Sequence, residues 1–241
     1  MNYVFVMGIA RSGTTIFTRV LNAHSNVLIG IERYKLLALQ QSTRDQFGPE
    51  LFDRDRLFDV RPTDTNVRQD LLLSEADNYE KKTWLGDKIP HLFKRDDVVF
   101  RRFPNARVFC MLRDGVDVAL SWQARADSPR DKWPATNDFL AGIEKWNRAN
   151  AKLWKLHKRF PGRISFVRYE DFFNGGGASL KKVLHVLDLT PEPRTLEFFH
   201  GQLDGHLELE AHRSRPDELM KEGRPKLDMR TYDRLCSLSV V

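Results

Sequence analysis

The sequence has only two cysteines and no long apolar run. Cys110 and Cys236 form neither a CxxC pair nor a disulfide framework, and Cys110, inside an apolar run, is expected to be a buried thiol. The longest apolar stretch, residues 3–10, has eight residues, whereas a membrane-spanning helix needs about 20. No basic region followed by an apolar core precedes it, so no signal peptide is visible. These absences predict a soluble, cytoplasmic protein of a reducing compartment.

Metal-binding patterns are also missing. The seven histidines show neither HExxH nor His-x-His spacing, so no metal site is predicted. The 241 residues, 41% of them apolar, can bury a core, and we predict one domain over residues 1–241. The formal net charge of +6 favours an anionic partner without choosing among nucleic acid, an acidic membrane surface and a phosphorylated small molecule.

Short apolar runs alternate with amphipathic segments along the chain. Strands are predicted at residues 3–7, 27–29, 84–86, 107–112 and 164–168. Helices are predicted from residue 14, over 34–41, from 116, over 138–159 and over 180–187. This order predicts a three-layer α/β fold with a mainly parallel central sheet flanked by helices. The charge-rich residues 43–80 are expected to form an exposed excursion, and residues 190–241 a peripheral segment, both covering the acceptor or the nucleotide.

A glycine-bordered loop follows the first predicted strand. Residues 8–15 read GIARSGTT, with the glycine spacing of a phosphate-binding loop whose backbone amides and helix N-terminus hold an anion. This context predicts a P-loop-like fold and leaves a plain tight turn as the alternative. A nucleoside-triphosphate loop would carry lysine at the position of Thr14, which argues against ordinary ATP chemistry, while Arg11 supplies a cation. The candidate phosphate-binding residues are Arg11, Ser12, Gly13, Thr14 and Thr15.

A second anion-binding element is predicted after residues 107–112. Arg113 stands at the strand end, where its planar guanidinium can hold a phosphate. Asp117, Ser121 and Arg125 follow at intervals of four on a predicted helix, so Ser121 and Arg125 can face one anion. The alternative is a surface helix in which Asp117 pairs with Ser121 or Arg125.

Both elements resemble those of the sulfotransferase family. GIARSGTT is similar to its 5′-phosphosulfate loop, commonly PRSGTT or PKSGTT, with Ala10 in place of proline. Residues 113–121, RDGVDVALS, resemble its 3′-phosphate element, and the likeness is closest to the branch of tyrosylprotein sulfotransferases and bacterial relatives. The resemblance implies 3′-phosphoadenosine 5′-phosphosulfate (PAPS) as donor, 3′,5′-ADP as product, no metal, and sulfuryl transfer to a hydroxyl, less readily an amine.

The resemblance also implies catalytic candidates. Glu32 follows the second predicted strand, in the place of the family's catalytic glutamate, and the carboxyl ends of parallel strands are where active sites lie. Its alternatives are a helix-start acid or a partner of Arg33. Lys88 matches a family lysine assigned to the reacting sulfate, and His91 is the rival base because cytosolic sulfotransferases use histidine. Lys88 and Arg11 would stabilise the transferring group.

Two further residues are implied to touch the nucleotide. Tyr169 matches a family tyrosine that contacts it, with core packing as the alternative, and Ser214 could close over it on spacing alone. Residues 43–80 and 126–137 are expected to shape the acceptor pocket, and Trp133, Trp146 and Trp154 to line it or the core. The composition does not separate sugar, peptide, lipid and phenolic acceptors.

Two other functions stay open. A small-molecule kinase with an aberrant phosphate loop would need a lysine from elsewhere and Mg²⁺. A non-enzymatic nucleotide-sensing or nucleic-acid-binding module would use the basic surface, but no basic stripe interleaved with aromatics and no recognition helix supports binding to nucleic acid.

Overall fold

The computed structural model describes residues 1–67, 75–130, 133–211 and 215–241. Five strands, all parallel, form one sheet in the order β2-β3-β1-β4-β5. They are β1 Asn2–Gly8, β2 Val27–Ile31, β3 Trp84–Lys88, β4 Arg107–Leu112 and β5 Ile164–Arg168. The predicted α/β fold with a parallel central sheet is confirmed, and β4 and β5 have the predicted bounds.

Helices connect and flank these strands. In chain order they are α1 Thr14–Asn22, α2 Lys35–Leu39, α3 Arg54–Phe58, α4 Asp96–Arg102, α5 Gly115–Ala126, α6 Phe139–Arg159, α7 Tyr169–Asn174, α8 Gly176–His185, α9 Pro193–Ala211, α10 Asp217–Gly223 and α11 Met229–Cys236. The helix predicted over residues 34–41 is shorter, and the one predicted over 180–187 begins earlier. Residues after 190, which the sequence left unassigned, contribute α9 to α11. No helix in the described ranges has the length and apolar character needed to cross a bilayer.

The core lies on both faces of the sheet. Side chains alternate along β1, so Phe5 and Met7 enter one cluster of buried residues while Val4 and Val6 enter the other. The first cluster includes Trp146 of α6, and the second includes Phe17 of α1 and Leu180 of α8. The predicted three layers, helices on each side of one sheet, are therefore present. Cys110 is fully buried as expected, and burial raises the pKa of its thiol.

The prediction that residues 43–80 form an exposed excursion is wrong for their apolar residues. Phe47 and Phe52 are buried, and their rings contact Phe5 of β1 and Phe103. Tyr79 is buried too and donates from its hydroxyl to Phe52 O at 2.9 Å. The charges that suggested exposure alternate with these aromatic residues, which attach the segment to the face of the sheet that carries Phe5.

Candidate active site

Each of the five strands ends at or near a residue predicted for the site. Because the strands are parallel, their carboxyl ends meet at one edge of the sheet. The residues at or just after these ends are Arg11, Glu32, Lys88, Arg113 and Tyr169. Strand register fixes their neighbours: Ile31 pairs with Lys88, and Leu112 with Arg168. The fold therefore brings together residues that lie up to 158 positions apart in the sequence.

The glycine loop has the left-handed backbone of an anion-binding turn. Arg11 has φ 78° and Gly13 has φ 88°, and α1 begins immediately afterwards at Thr14. The N-terminus of α1, with no acidic residue in its first turn, thus stands at the strand edge. The hydroxyl of Ser12 is buried and makes no hydrogen bond within the described ranges. Backbone amides and a buried hydroxyl of this kind fit a bound anion.

The second predicted element contacts this loop directly. Arg11 Nε donates to Ser121 Oγ at 2.9 Å, and Arg113 Nη1 donates to Arg11 O at 3.2 Å. The guanidinium of Arg113 also stacks on Tyr169, 4.2 Å from the ring centroid. Arg125 lies over the ring of Trp133, with its guanidinium carbon 4.6 Å from the centroid. Arg11, Arg113, Ser121 and Tyr169 therefore form one group, and Arg125 lies beside the tryptophan.

Tyr169 packs against both the core and the glycine loop. It is 7% exposed and packs against Phe173 with ring centroids 4.8 Å apart. A Cβ placed on Gly13 would lie 2.4 Å from Tyr169 Cδ2, so the tyrosine ring closes directly over this part of the loop. The observed core packing of Tyr169 is compatible with the predicted contact between this residue and a nucleotide.

The helix residue Asp117 has partners that the sequence did not suggest. It is buried and accepts from Arg215 Nη2 at 3.0 Å, and its Oδ2 lies 3.9 Å from Arg113 Nη2. Residue 215 therefore reaches the strand edge from the C-terminal part of the chain. Ser214, proposed to close over the nucleotide, lies outside the described residues.

Glu32 lies between two lysines. Lys88 Nζ donates to its Oε1 and Lys35 Nζ to its Oε2, each at 2.8 Å. Burial alone raises the pKa of Glu32, but the hydrogen bonds from Lys35 and Lys88 outweigh burial and hold that pKa below its ordinary value. The carboxylate is therefore ionised at neutral pH. Sequence reasoning missed Lys35, whose spacing of three from Glu32 is the signal that could have found it.

The backbone at Glu32 is held in an unusual conformation by a buried carboxylate. Glu32 has φ 59° in the left-handed region, and its amide donates to Lys88 O at 2.8 Å. Asp87, fully buried, accepts from the amides of Tyr34 at 2.8 Å and Arg33 at 3.3 Å. Burial raises the pKa of Asp87 to about 7. Sequence reasoning missed Asp87, although an acid inside a buried strand is a recognisable signal.

A second buried network supports the turn at Glu32 and excludes Arg33 as the partner of the Glu32 carboxylate. Arg33 Nη2 and Arg56 Nη2 both donate to Asp64, the first at 3.0 Å, so Arg33 is not the partner of Glu32. Thr65, next to Asp64, donates from its amide to Arg33 O at 2.8 Å and from its hydroxyl to Glu32 O. Residues of the 43–80 segment therefore fix the position of the candidate base.

His91 lies three residues beyond Lys88 and is half-buried. Burial, followed by the positive charges of Lys94 and Lys35, lowers its pKa to about 4, so the imidazole is neutral at pH 7. Its Nδ1 is buried and makes no hydrogen bond to any residue that the structure describes. His91 lines a cavity next to the glycine loop.

Curated proteins and solved structures give independent comparisons. Protein-tyrosine sulfotransferase 1 of Homo sapiens is 27% identical over 161 residues, covering 62% of this chain and 40% of that protein. An uncharacterized protein of Aquifex aeolicus is 26% identical over 214 residues, covering 81% of this chain and 26% of that protein. The chain thus spans about a quarter to two fifths of the length of these relatives.

Solved structures support the fold. The sulfotransferase domain of the Synechococcus PCC 7002 olefin synthase has a TM-score of 0.61 at 15% identity, covering 98% of this chain and 94% of that chain. The sulfotransferase domain from the curacin biosynthetic pathway has a TM-score of 0.56 at 16% identity, covering 82% and 77%. The sequence also matches the profile described as "Sulfotransferase family" over residues 3–193. Because that match extends from the first strand into the segment after α8 and includes every strand end described above, the chain belongs to the sulfotransferase family.

Proposed function

We propose that this protein transfers a sulfuryl group from PAPS to a hydroxyl of an acceptor. The observation that supports this function most strongly is the direct contact between the two predicted anion elements. Arg11 of the glycine loop donates to Ser121, and Arg113 donates back to the loop carbonyl. A donor with phosphates at both its 5′ and 3′ positions needs two such elements side by side.

The residues at this edge fit that nucleotide. The loop amides of residues 12–15, the buried Ser12 hydroxyl and the N-terminus of α1 would hold the 5′-phosphosulfate. Arg113 and Ser121 would hold the 3′-phosphate, with Tyr169 keeping the guanidinium plane in place by stacking. When bound, PAPS supplies the sulfuryl group that passes to the acceptor oxygen.

Glu32 is the proposed base. It is ionised and stands at the end of β2, where its carboxylate can take the proton of an acceptor hydroxyl. Lys88, 2% exposed, supplies a compact positive charge beside it, and Arg11 supplies a second across the loop. The neutral imidazole of His91 lines the adjacent cavity and would contact the acceptor.

Ligand-induced thermal stabilisation of the full chain tests this function. We expect 3′,5′-ADP to raise Tm more than ATP or AMP at equal concentration, without added Mg²⁺, because only it engages both elements. Arg113→Ala should abolish this preference. The matched control is Arg107→Ala, an exposed arginine at the opposite end of the same strand, which should behave as wild type. Stabilisation by ATP with Mg²⁺ and none by 3′,5′-ADP would contradict the proposal and favour a kinase.

A further inference from the structure

A cavity of about 540 Å³ lies beside the strand edge. Ile9 of the glycine loop and His91, three residues after Lys88, both line it. Trp122 of α5 forms part of its wall and is fixed to the loop, because its Nε1 donates to Ala10 O at 3.1 Å. The cavity therefore borders both the loop proposed to hold the donor and the segment that follows Lys88.

Two tryptophans give this cavity an apolar, rigid wall. Trp122 and Trp133 meet edge to face, with ring centroids 4.8 Å apart and an interplanar angle of 86°. Trp133 is held in turn by a hydrogen bond of 2.9 Å from its Nε1 to Asn137 O. Trp122 is 2% exposed and Trp133 is half-buried, so Trp133 is the ring of the pair that offers surface to a ligand. An aromatic surface favours a flat ring in offset or edge-to-face contact.

Four other residues of the lining are cationic. Lys94, Lys145, Arg148 and Lys152 all line the cavity, and no aspartate or glutamate does so within the described residues. Lys145 Nζ lies 4.7 Å from the Trp122 ring centroid and donates to Asn137 Oδ1 at 2.7 Å, so its charge is held at the aromatic wall. Arg148 pairs with Glu144, which lies outside the lining.

His91 lies among positively charged neighbours inside the cavity. Besides burial, the charges of Lys94, Lys35 and Lys145 lower its pKa, and Glu32 alone among the named neighbours acts in the opposite direction. The lysines beside His91 outnumber the one acid, and the described lining carries a net positive charge. A cavity of this sign attracts an anion.

We propose that this aromatic–cationic pocket, formed by the two tryptophans and the four cations named above, binds the acceptor and selects a small hydroxylated compound that carries a flat ring and a carboxylate. The inference rests on the proposed function, because it makes the pocket the acceptor site of that reaction. The ring lies against Trp133, and the carboxylate lies towards Lys145. A volume of about 540 Å³ is within the roughly 300–1,000 Å³ of small-molecule sites.

Calorimetric titration of the full chain with two matched probes tests the pocket. 4-Hydroxyphenylacetate carries the ring and the carboxylate, and 4-hydroxyphenylacetamide has the same shape without the charge. We expect the carboxylate to bind about fivefold or more tightly than the amide, and this preference to shrink as ionic strength rises.

Three variants test which residues carry the preference and the ring contact. Lys145→Gln should remove most of it, whereas Lys182→Gln, an exposed lysine of α8, should leave it unchanged. Trp133→Leu should weaken both probes alike, because it removes ring contact and no charge. Thermal stabilisation by 3′,5′-ADP should persist in all three variants and shows that each one is folded.

The possible results distinguish a failure of the pocket proposal from a failure of the proposed function. Equal affinity for the carboxylate and the amide, or binding only of a tyrosine flanked by several acidic residues in a peptide, overturns the small-acceptor proposal. Wild-type protein that ignores 3′,5′-ADP while still preferring the carboxylate overturns the proposed function and leaves an anion-binding pocket.

Discussion

Lys88 Nζ donates a hydrogen bond of 2.8 Å to Glu32 Oε1 from a side chain that is only 2% exposed. The two residues stand at the ends of neighbouring strands, and Glu32 also binds Lys35, whose side chain is 43% exposed. Removing one member of a buried ion pair leaves the other charge without compensation, which is far more destabilising than losing an exposed pair.

A double-mutant cycle therefore should show strong coupling. We expect Glu32→Gln to lower the free energy of unfolding by about 2–3 kcal/mol, and Lys88→Met in the same chain to restore part of that loss. Lys35→Gln, the exposed control, should change it by less than about 1 kcal/mol. Urea unfolding of wild type, Glu32→Gln, Lys88→Met, the double mutant and Lys35→Gln measures the cycle and its control. Strictly additive effects of Glu32→Gln and Lys88→Met would show that the pair is not coupled in the folded protein.

Gly13→Ala tests the contact between the glycine loop and Tyr169. The new Cβ would lie 2.4 Å from the tyrosine ring, at a residue with φ 88°. We expect a loss of more than about 3 kcal/mol in unfolding free energy and no stabilisation by 3′,5′-ADP. Gly162→Ala is the matched control, with φ 72° and no atom within 4 Å of the new Cβ. It should lose only the backbone strain of about 1–2 kcal/mol, and equal losses at the two sites would contradict the clash.

Asp64→Asn tests the support of the Glu32 turn by the 43–80 segment. Asp64 is fully buried between Arg33 and Arg56. Its neutralisation should lower the unfolding free energy by about 3 kcal/mol and reduce kcat, because Thr65 holds the Glu32 carbonyl. Asp59→Asn removes an exposed ion pair with Arg61 and should change stability by about 0.5 kcal/mol or less. An unchanged kcat in folded Asp64→Asn would show that this network does not position the catalytic residues.

The raised pKa of Asp87 predicts an unusual pH dependence. Its folded-state pKa of about 7 exceeds the value of an unfolded aspartate, so the folded protein binds the proton more tightly. The stability that this tighter proton binding gives to the folded protein is complete below the pKa of unfolded aspartate and is lost as pH rises through 7. Wild-type stability relative to Asp87→Asn should therefore fall by roughly 2–3 kcal/mol between pH 5 and pH 8. Glu32 has the opposite sign, because its lowered pKa contributes stability above the ordinary glutamate pKa, and that stability is lost as pH falls through the folded-state pKa.

Urea unfolding of wild type and Asp87→Asn at pH 5 and pH 8 measures this change. The difference between the two proteins isolates Asp87, because the effects of groups that titrate in both cancel. A difference that does not change with pH would show that Asp87 is ionised throughout this range.

Local patterns were sufficient for the sheet and for the position of five candidate residues at its carboxyl edge. The runs at 107–112 and 164–168 consist of β-prone residues between breakers, so β4 and β5 could be predicted to the residue. Arg11, Glu32, Lys88, Arg113 and Tyr169 could be predicted because strand ends and motifs are local features. Their contacts with Lys35, Asp87 and Asp64 could not all be foreseen. Buried ion pairs join residues distant in sequence, and a charged residue in a charge-rich segment has the same local pattern whether it is exposed or paired.

The strand order also sets the distance between the two ends of the candidate site. Glu32 and Lys88 follow β2 and β3, whereas Arg113 and Tyr169 follow β4 and β5, at the other side of the central β1. Neighbouring strands lie about 4.8 Å apart, so β2 and β4, which lead to Glu32 and Arg113, are separated by about 14 Å along the hydrogen-bonding direction. In the proposed function the sheet spacing therefore sets the distance between the proton-accepting group and the group that holds the 3′-phosphate.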